Sequence, residues 1–190
     1  MSIRTFVAVP VPLEVTRPLA AFAGKVGPEA GRIRWVDPES MHLTLFFLGD
    51  VVEDRVPIIE EALERAAAGV RPFTARLDEL GAFPDLERPR VIWVGISEGA
   101  QPLGEMKEAV DGVLEPLGFE PDRRPFHPHL TLGRVKKAGR RGAVAGAASR
   151  WNLPAGSWTV DRLVFYQSTL TRKGAIYQQL AAPPLGRGGG

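Results

Sequence analysis

Apolar residues along this chain form short runs punctuated by glycine and proline, with longer stretches at helical spacing between them. Ile3 to Val9 is a β-branched run closed by Pro10 and predicts a strand. Glu14 to Val26 carries apolar residues at helical spacing and stops at Gly27-Pro28, so a helix is predicted there. Ile33 to Val36 reads as extended, and Met41 to Leu48 as a strongly apolar strand ending at Gly49-Asp50. A helix follows over Asp54 to Ala68, with Asp54 as its N-cap and Gly69 as its stop. Phe73 to Phe83 and Val91 to Ile96 predict two antiparallel strands, and Gln101 to Leu117 a second long helix ended by Gly118. His129 to Val135 is a strand, Arg140 to Arg150 weakly helical or loop, Trp158 to Gln167 the longest strand, and Ala175 to Leu180 the last. Strands and helices mix without strict βαβ alternation, which argues for an α+β fold with antiparallel pairing.

The length, 190 residues, fits one compact domain or two small lobes sharing a core. No low-complexity linker divides it, so residues 1–182 read as one unit, with a flexible tail over 183–190 (PPLGRGGG). Apolar residues make up 44%, enough for a real core, and the net charge of +2 excludes a strongly basic nucleic-acid coat. Basic clusters remain at Arg123-Arg124, Arg134 to Lys137 and Arg140-Arg141; each reads either as groove lining for a phosphodiester or as solvated surface. The absence of cysteine excludes disulfides, thiolate nucleophiles and zinc fingers. The N-terminus lacks a signal-peptide pattern, and no uncharged apolar run approaches the ~20 residues that span a bilayer. The expectation is a cytoplasmic protein with no membrane partner, monomeric by default.

His-Leu-Thr-Leu occurs at His42 to Leu45 and again at His129 to Leu132, and each copy opens a strand. This echo predicts a duplicated lobe with pseudo-two-fold symmetry. Side chains alternate along a strand, so His42 shares a face with Thr44, and His129 with Thr131, while the leucines turn to the core. If the two strands lie side by side, two imidazoles and two hydroxyls meet in one cleft. Such a set suits phosphoryl transfer: one neutral imidazole takes a proton from water, one protonated imidazole gives a proton to the leaving oxygen, and the hydroxyls donate to the phosphoryl oxygens. One His-x-Thr-x is more often structural than functional. For two copies, on spacing alone, a shared catalytic role and two structural strand openings stand level. His127, before Pro128, reads as a loop residue or a hydrogen-bond partner behind the pair. A zinc site of the three histidines is a poor alternative, because the i, i+4 ligand spacing is missing and no carboxylate closely adjoins either motif. The four tryptophans read as core or rim, and Tyr166 and Tyr177 are open to either reading.

These segments resemble the 2H phosphoesterases, and within them the RNA 2′,3′-cyclic phosphodiesterase group, also called 2′-5′ RNA ligase or LigT-like. The resemblance runs from Arg4 to Val9 (RTFVAV), through Arg34 to Gly49 (RWVDPESMHLTLFFLG) and Phe126 to Lys136 (FHPHLTLGRVK), to a late pattern of Ser168, Leu170, Gly174 and Tyr177. It implies two pseudo-symmetric lobes whose antiparallel sheets form a central cleft, with helices outside. It implies metal-independent opening of RNA 2′,3′-cyclic phosphates to 2′-phosphates without a cofactor, and possible reversal as ATP-independent 2′-5′ ligation. By the resemblance, His42 is the proton donor, His129 the proton acceptor, and Thr44 and Thr131 bind phosphate; exchange of the two histidine roles is chemically permitted. Arg134 matches a family arginine near the phosphate, yet it lies an odd number of positions after His129, so ideal alternation aims it at the other face. A bulge at Gly133 would re-aim it; otherwise it is a surface cation. Phe47 holds the matching position in the first copy, for base stacking or, as the commoner case, core packing. The implied partners are RNA ends carrying a 2′,3′-cyclic phosphate or small cyclic nucleotides. A 2′-5′ oligonucleotide as substrate, or a non-catalytic module that holds RNA ends, are the remaining alternatives.

Overall fold

The fold was analysed in a computed structural model, which describes residues 1–153, 156–171 and 174–186. Among the described residues, nine strands form two antiparallel sheets. The first has the order β3-β1-β8-β9, from β3 (His42–Val52), β1 (Ser2–Pro10), β8 (Val164–Leu170) and β9 (Ala175–Ala181). The second has the order β2-β6-β5-β4-β7, from β2 (Gly31–Trp35), β6 (His129–Ala138), β5 (Val91–Ile96), β4 (Phe73–Phe83) and β7 (Ser157–Val160). The two strands that open on histidine, β3 and β6, belong to different sheets and lie against each other. β1 is buried continuously from Thr5 to Val9, as an interior strand between β3 and β8 requires.

Two helices carry apolar stripes of helical period. α3 (Val56–Ala68) buries Ile59, Ala62, Leu63, Ala66 and Ala67, and α4 (Ala100–Leu114) buries Leu103, Met106, Val110 and Leu114. They pack on one another, and α4 also touches β3. The leucines after each histidine, Leu43 and Leu130, are both fully buried in the core. Leu43→Ala or Leu130→Ala is therefore expected to lower unfolding stability by about 2–5 kcal/mol, read as a shifted urea midpoint.

Several expectations from the sequence need correction. The helix over Glu14 to Val26 is broken into α1 (Leu13–Thr16), a 3-10 turn at Arg17–Leu19 and α2 (Ala20–Ala23). Pro18 is the cause, since it has no N–H to donate and biases the residue before it away from helix. Asp54 does not cap α3: it lies in a 3-10 turn, Glu53–Arg55, that leads into the helix. The strand expected to end at Gly49 continues to Val52, because Gly49 takes φ +75 and lets β3 bulge and carry on. The second long helix ends at Leu114 and tightens into a 3-10 turn, Glu115–Leu117, before Gly118 at φ +84. The weak helix of Arg140 to Arg150 is α5 (Ala143–Ala148). The long strand Trp158 to Gln167 is two strands in two sheets: β7 pairs with β4, the chain turns at Asp161-Arg162, and β8 pairs with β1.

The tail is also fixed further than its composition suggests. Leu185 is buried, its N–H donates to the Asp161 carbonyl, and the Gly186 N–H donates to Ala67 and Val70 at the end of α3. Freedom from Pro183 onward thus does not hold for residues 183–186, while 187–190 lie outside the described residues. Among the described residues no helix is long and apolar enough to cross a membrane.

Candidate active site

Both His-Leu-Thr-Leu copies have the same alternation, half-buried His and Thr with buried leucines, so each strand presents one imidazole and one hydroxyl on its polar face. Each imidazole is also held in the same way. His42 Nδ1 donates to the Ser40 carbonyl at 2.8 Å, and His129 Nδ1 donates to the His127 carbonyl at 2.7 Å. A carbonyl only accepts, so in the neutral ring Nδ1 carries the hydrogen and Nε2 is left with the lone pair. His127 therefore contributes its main chain, and its side chain is exposed.

Aromatic rings fix both imidazoles from the side. Phe6 lies 4.8 Å from His42 between ring centroids, and Tyr177 meets it edge-on at 5.1 Å. Phe83 meets His129 edge-on at 5.2 Å, with Trp93 at 6.0 Å. Burial pushes His42 below the ordinary imidazole range; the bond to Ser40 opposes this, and the Arg134 cation adds to it. His129 is lowered in the same way, by burial first, against the His127 carbonyl and with the Arg134 and His127 charges.

Arg134 thus acts electrostatically on both imidazoles, and the register explains how it comes to face them. Opposite Ile92 and Trp93, β6 carries an extra residue, Leu132, so Leu132 and Gly133 are both buried and Arg134 returns to the face of Thr131. β3 has the equivalent extra residue, Leu45, opposite Val7 and Ala8, so Leu45 and Phe46 are both buried and Phe47 returns to the face of Thr44. Matching bulges therefore turn matching positions onto the polar face. Phe47 is 65% exposed, which overturns core packing as its role.

A cavity of about 1030 Å³ is lined by His42, Thr44, Phe47, Thr131 and Arg134, and continues to Tyr177. His129 is beside it, not in its wall, on the strand that supplies Thr131 and Arg134. A second cavity, about 650 Å³ between α3 and α4, is lined by Arg65, Arg71 and Glu105 among others and contains no histidine. Of the basic clusters, only Arg134 and Lys136 reach the cleft; Arg124 binds Asp122, and Arg141 pairs with Glu87. Among the described residues no three His, Asp or Glu side chains gather as a metal site. Sequence reasoning missed the two carbonyls, which any residue type supplies, and the rings of Phe6 and Phe83, which read as ordinary strand residues. It also passed over Arg34, which lines the cavity.

The family model of the 2′-5′ RNA ligase superfamily matches residues 16–172. An RNA 2′,3′-cyclic phosphodiesterase of Aeropyrum pernix is 39% identical over 150 residues, covering 78% of this chain and 84% of that protein. One from Archaeoglobus fulgidus is 35% identical over 178 residues, covering 93% and 97%. Among solved structures, a Thermus thermophilus protein superposes with a TM-score of 0.79 at 30% identity, over 96% of this chain and 98% of that one. E. coli LigT complexed with 3′-AMP gives 0.73 at 28% identity, over 98% and 100%. The two-sheet architecture thus has its counterparts among solved structures, and the chain belongs to the 2′-5′ RNA ligase superfamily.

Proposed function

We propose that this protein opens the 2′,3′-cyclic phosphate at an RNA end by metal-independent acid–base catalysis and leaves a 2′-phosphate. The observation that carries the reading is the matched pair of imidazoles, each with Nδ1 tied to a carbonyl two residues back, on two strands that also bring two threonines and Arg134 together. The names of the relatives support the cyclic phosphate as the bond that is opened. His129 Nε2 takes a proton from water as the water oxygen bonds to phosphorus. The bond from phosphorus to the 3′ oxygen breaks on the opposite side, and that oxygen takes a proton from Nε2 of protonated His42. Thr44 and Thr131 donate to the non-bridging oxygens, where charge builds, and Arg134 balances the anion. One chain supplies every one of these groups, so a single copy suffices. Run in reverse with a 5′-hydroxyl in place of water, the same groups join ends through a 2′-5′ bond without ATP.

The test is incubation with an oligonucleotide ending in a 2′,3′-cyclic phosphate, in EDTA. The expected product is the 2′-phosphate, at a rate indifferent to chelation. A 3′-phosphate product, or activity abolished by EDTA and restored by a metal, would sink the mechanism.

The pH profile follows from the lowered imidazoles. The working form has one neutral and one protonated ring, and both rings bind protons less readily than a free imidazole with pKa ~6.5. The bell of kcat/KM, which reports the free enzyme, is therefore expected to peak below about pH 6.5. Arg134→Gln removes a cation that lowers both rings, so both limbs move to higher pH while the peak falls. A bell that stays in place would show that the guanidinium does not bear on the imidazoles.

A further inference from the structure

Arg34 on β2 and Arg134 on β6 are directly opposed partners in the ladder, and so are Arg32 and Lys137. Directly opposed residues of an antiparallel pair point to the same face, where like charges repel. Arg34 and Arg134 both line the cleft, with Arg4 and Lys136, and among the described residues none of the four pairs with a carboxylate. The carboxylates of Asp37 and Glu39 border the same cavity; Asp37 is engaged with the Glu39 N–H. Arg34 also reaches across the mouth of the cleft toward the β8–β9 hairpin, since a β-carbon placed on Gly174 would lie 3.0 Å from its Nη2.

The two arginines are not equivalent. Arg134 sits on β6, the strand that carries His129, whereas Arg34 sits on β2, the edge strand one further out. A repulsive pair of this kind is stabilised when anions lie over it, and two cations on neighbouring strands, one beside His129 and one at the edge, can serve two anions. A mononucleoside cyclic phosphate has one. A polynucleotide end has a second, the phosphodiester on the 5′ side of its terminal nucleoside.

We propose that Arg34, with Lys136 at the rim, holds the phosphodiester one nucleotide upstream of the cyclic phosphate, so that the charge of that linkage, and not the cyclic end alone, sets the rate. The inference rests on the function proposed above and adds the residue that holds the upstream linkage. A charge-assisted contact of this type is worth about tenfold or more in kcat/KM.

The experiment compares three substrates: a mononucleoside 2′,3′-cyclic phosphate, a dinucleotide with the same cyclic end and an ordinary linkage, and that dinucleotide with a neutral methylphosphonate linkage. The charged dinucleotide is expected to exceed the neutral one by about tenfold or more, and its kcat/KM to fall more steeply with salt, by about 0.7 in the log–log slope for one phosphate on a single strand. Arg34→Ala should bring the ratio of charged to neutral close to one, and Arg34→Lys should recover part of it. The ratio is read within each variant, so a general loss of activity cancels. Equal kcat/KM for the two dinucleotides, or a ratio that Arg34→Ala leaves unchanged, overturns the upstream site while hydrolysis of the cyclic end stands. Failure of all three substrates counts against the function itself, and the upstream site falls with it.

Discussion

His42→Ala and His129→Ala are each expected to lower the rate of cyclic-phosphate opening by about 10²–10⁴-fold, the usual worth of one positioned acid or base. The double variant is expected to fall little further than the worse single one, because an acid without its base completes no turnover. The check is single-turnover kinetics on a cyclic-ended oligonucleotide, with circular dichroism to establish that the sheets survive. Both rings are half-buried against aromatic neighbours, so a modest drop in melting temperature is expected alongside. Turnover near the unaltered rate in either variant would leave the reaction without an acid or without a base, and the assignment would be lost.

Thr44→Val and Thr131→Val come next in size. Valine keeps the shape and the β-branching that suit a strand and removes only the hydroxyl. Neither hydroxyl is committed to a hydrogen bond within the described residues, so both are available to a phosphoryl oxygen. Loss of a donor aimed at developing charge costs about 10²–10³-fold in kcat. KM should change much less, since the bond strengthens as the oxygen gains charge. The matching serine variants keep the donor and should stay within about tenfold. A Val variant that raised KM and spared kcat would make these hydroxyls ground-state binders only.

What could be read from sequence divides along a physical line. The histidines and threonines were legible because a strand of period two leaves no choice of face over three residues, and the tetrapeptide occurs twice. Arg134 and Phe47 were not, because their facing depends on one extra residue in the ladder, and an extra residue is defined only against the partner strand. The division of Trp158 to Gln167 was hidden for a similar reason. Its apolar run satisfies β propensity throughout, while the switch of sheets at Asp161 is decided by β4 on one side and β1 on the other. Pro18, by contrast, was in plain view, and its local cost outweighed an apolar spacing that favoured an unbroken helix.

The carbonyls behind the two imidazoles carry a consequence for variation. A main-chain oxygen is the same whatever side chain its residue bears, so Ser40 and His127 hold the two rings through their main chains alone. That hold is indifferent to side-chain identity so long as the chain path is kept, and Pro128 keeps the backbone extended just where the second oxygen is presented. Mutational scanning that deletes side chains would leave both of these hydrogen bonds in place, although each oxygen sets which nitrogen of its neighbour carries the hydrogen.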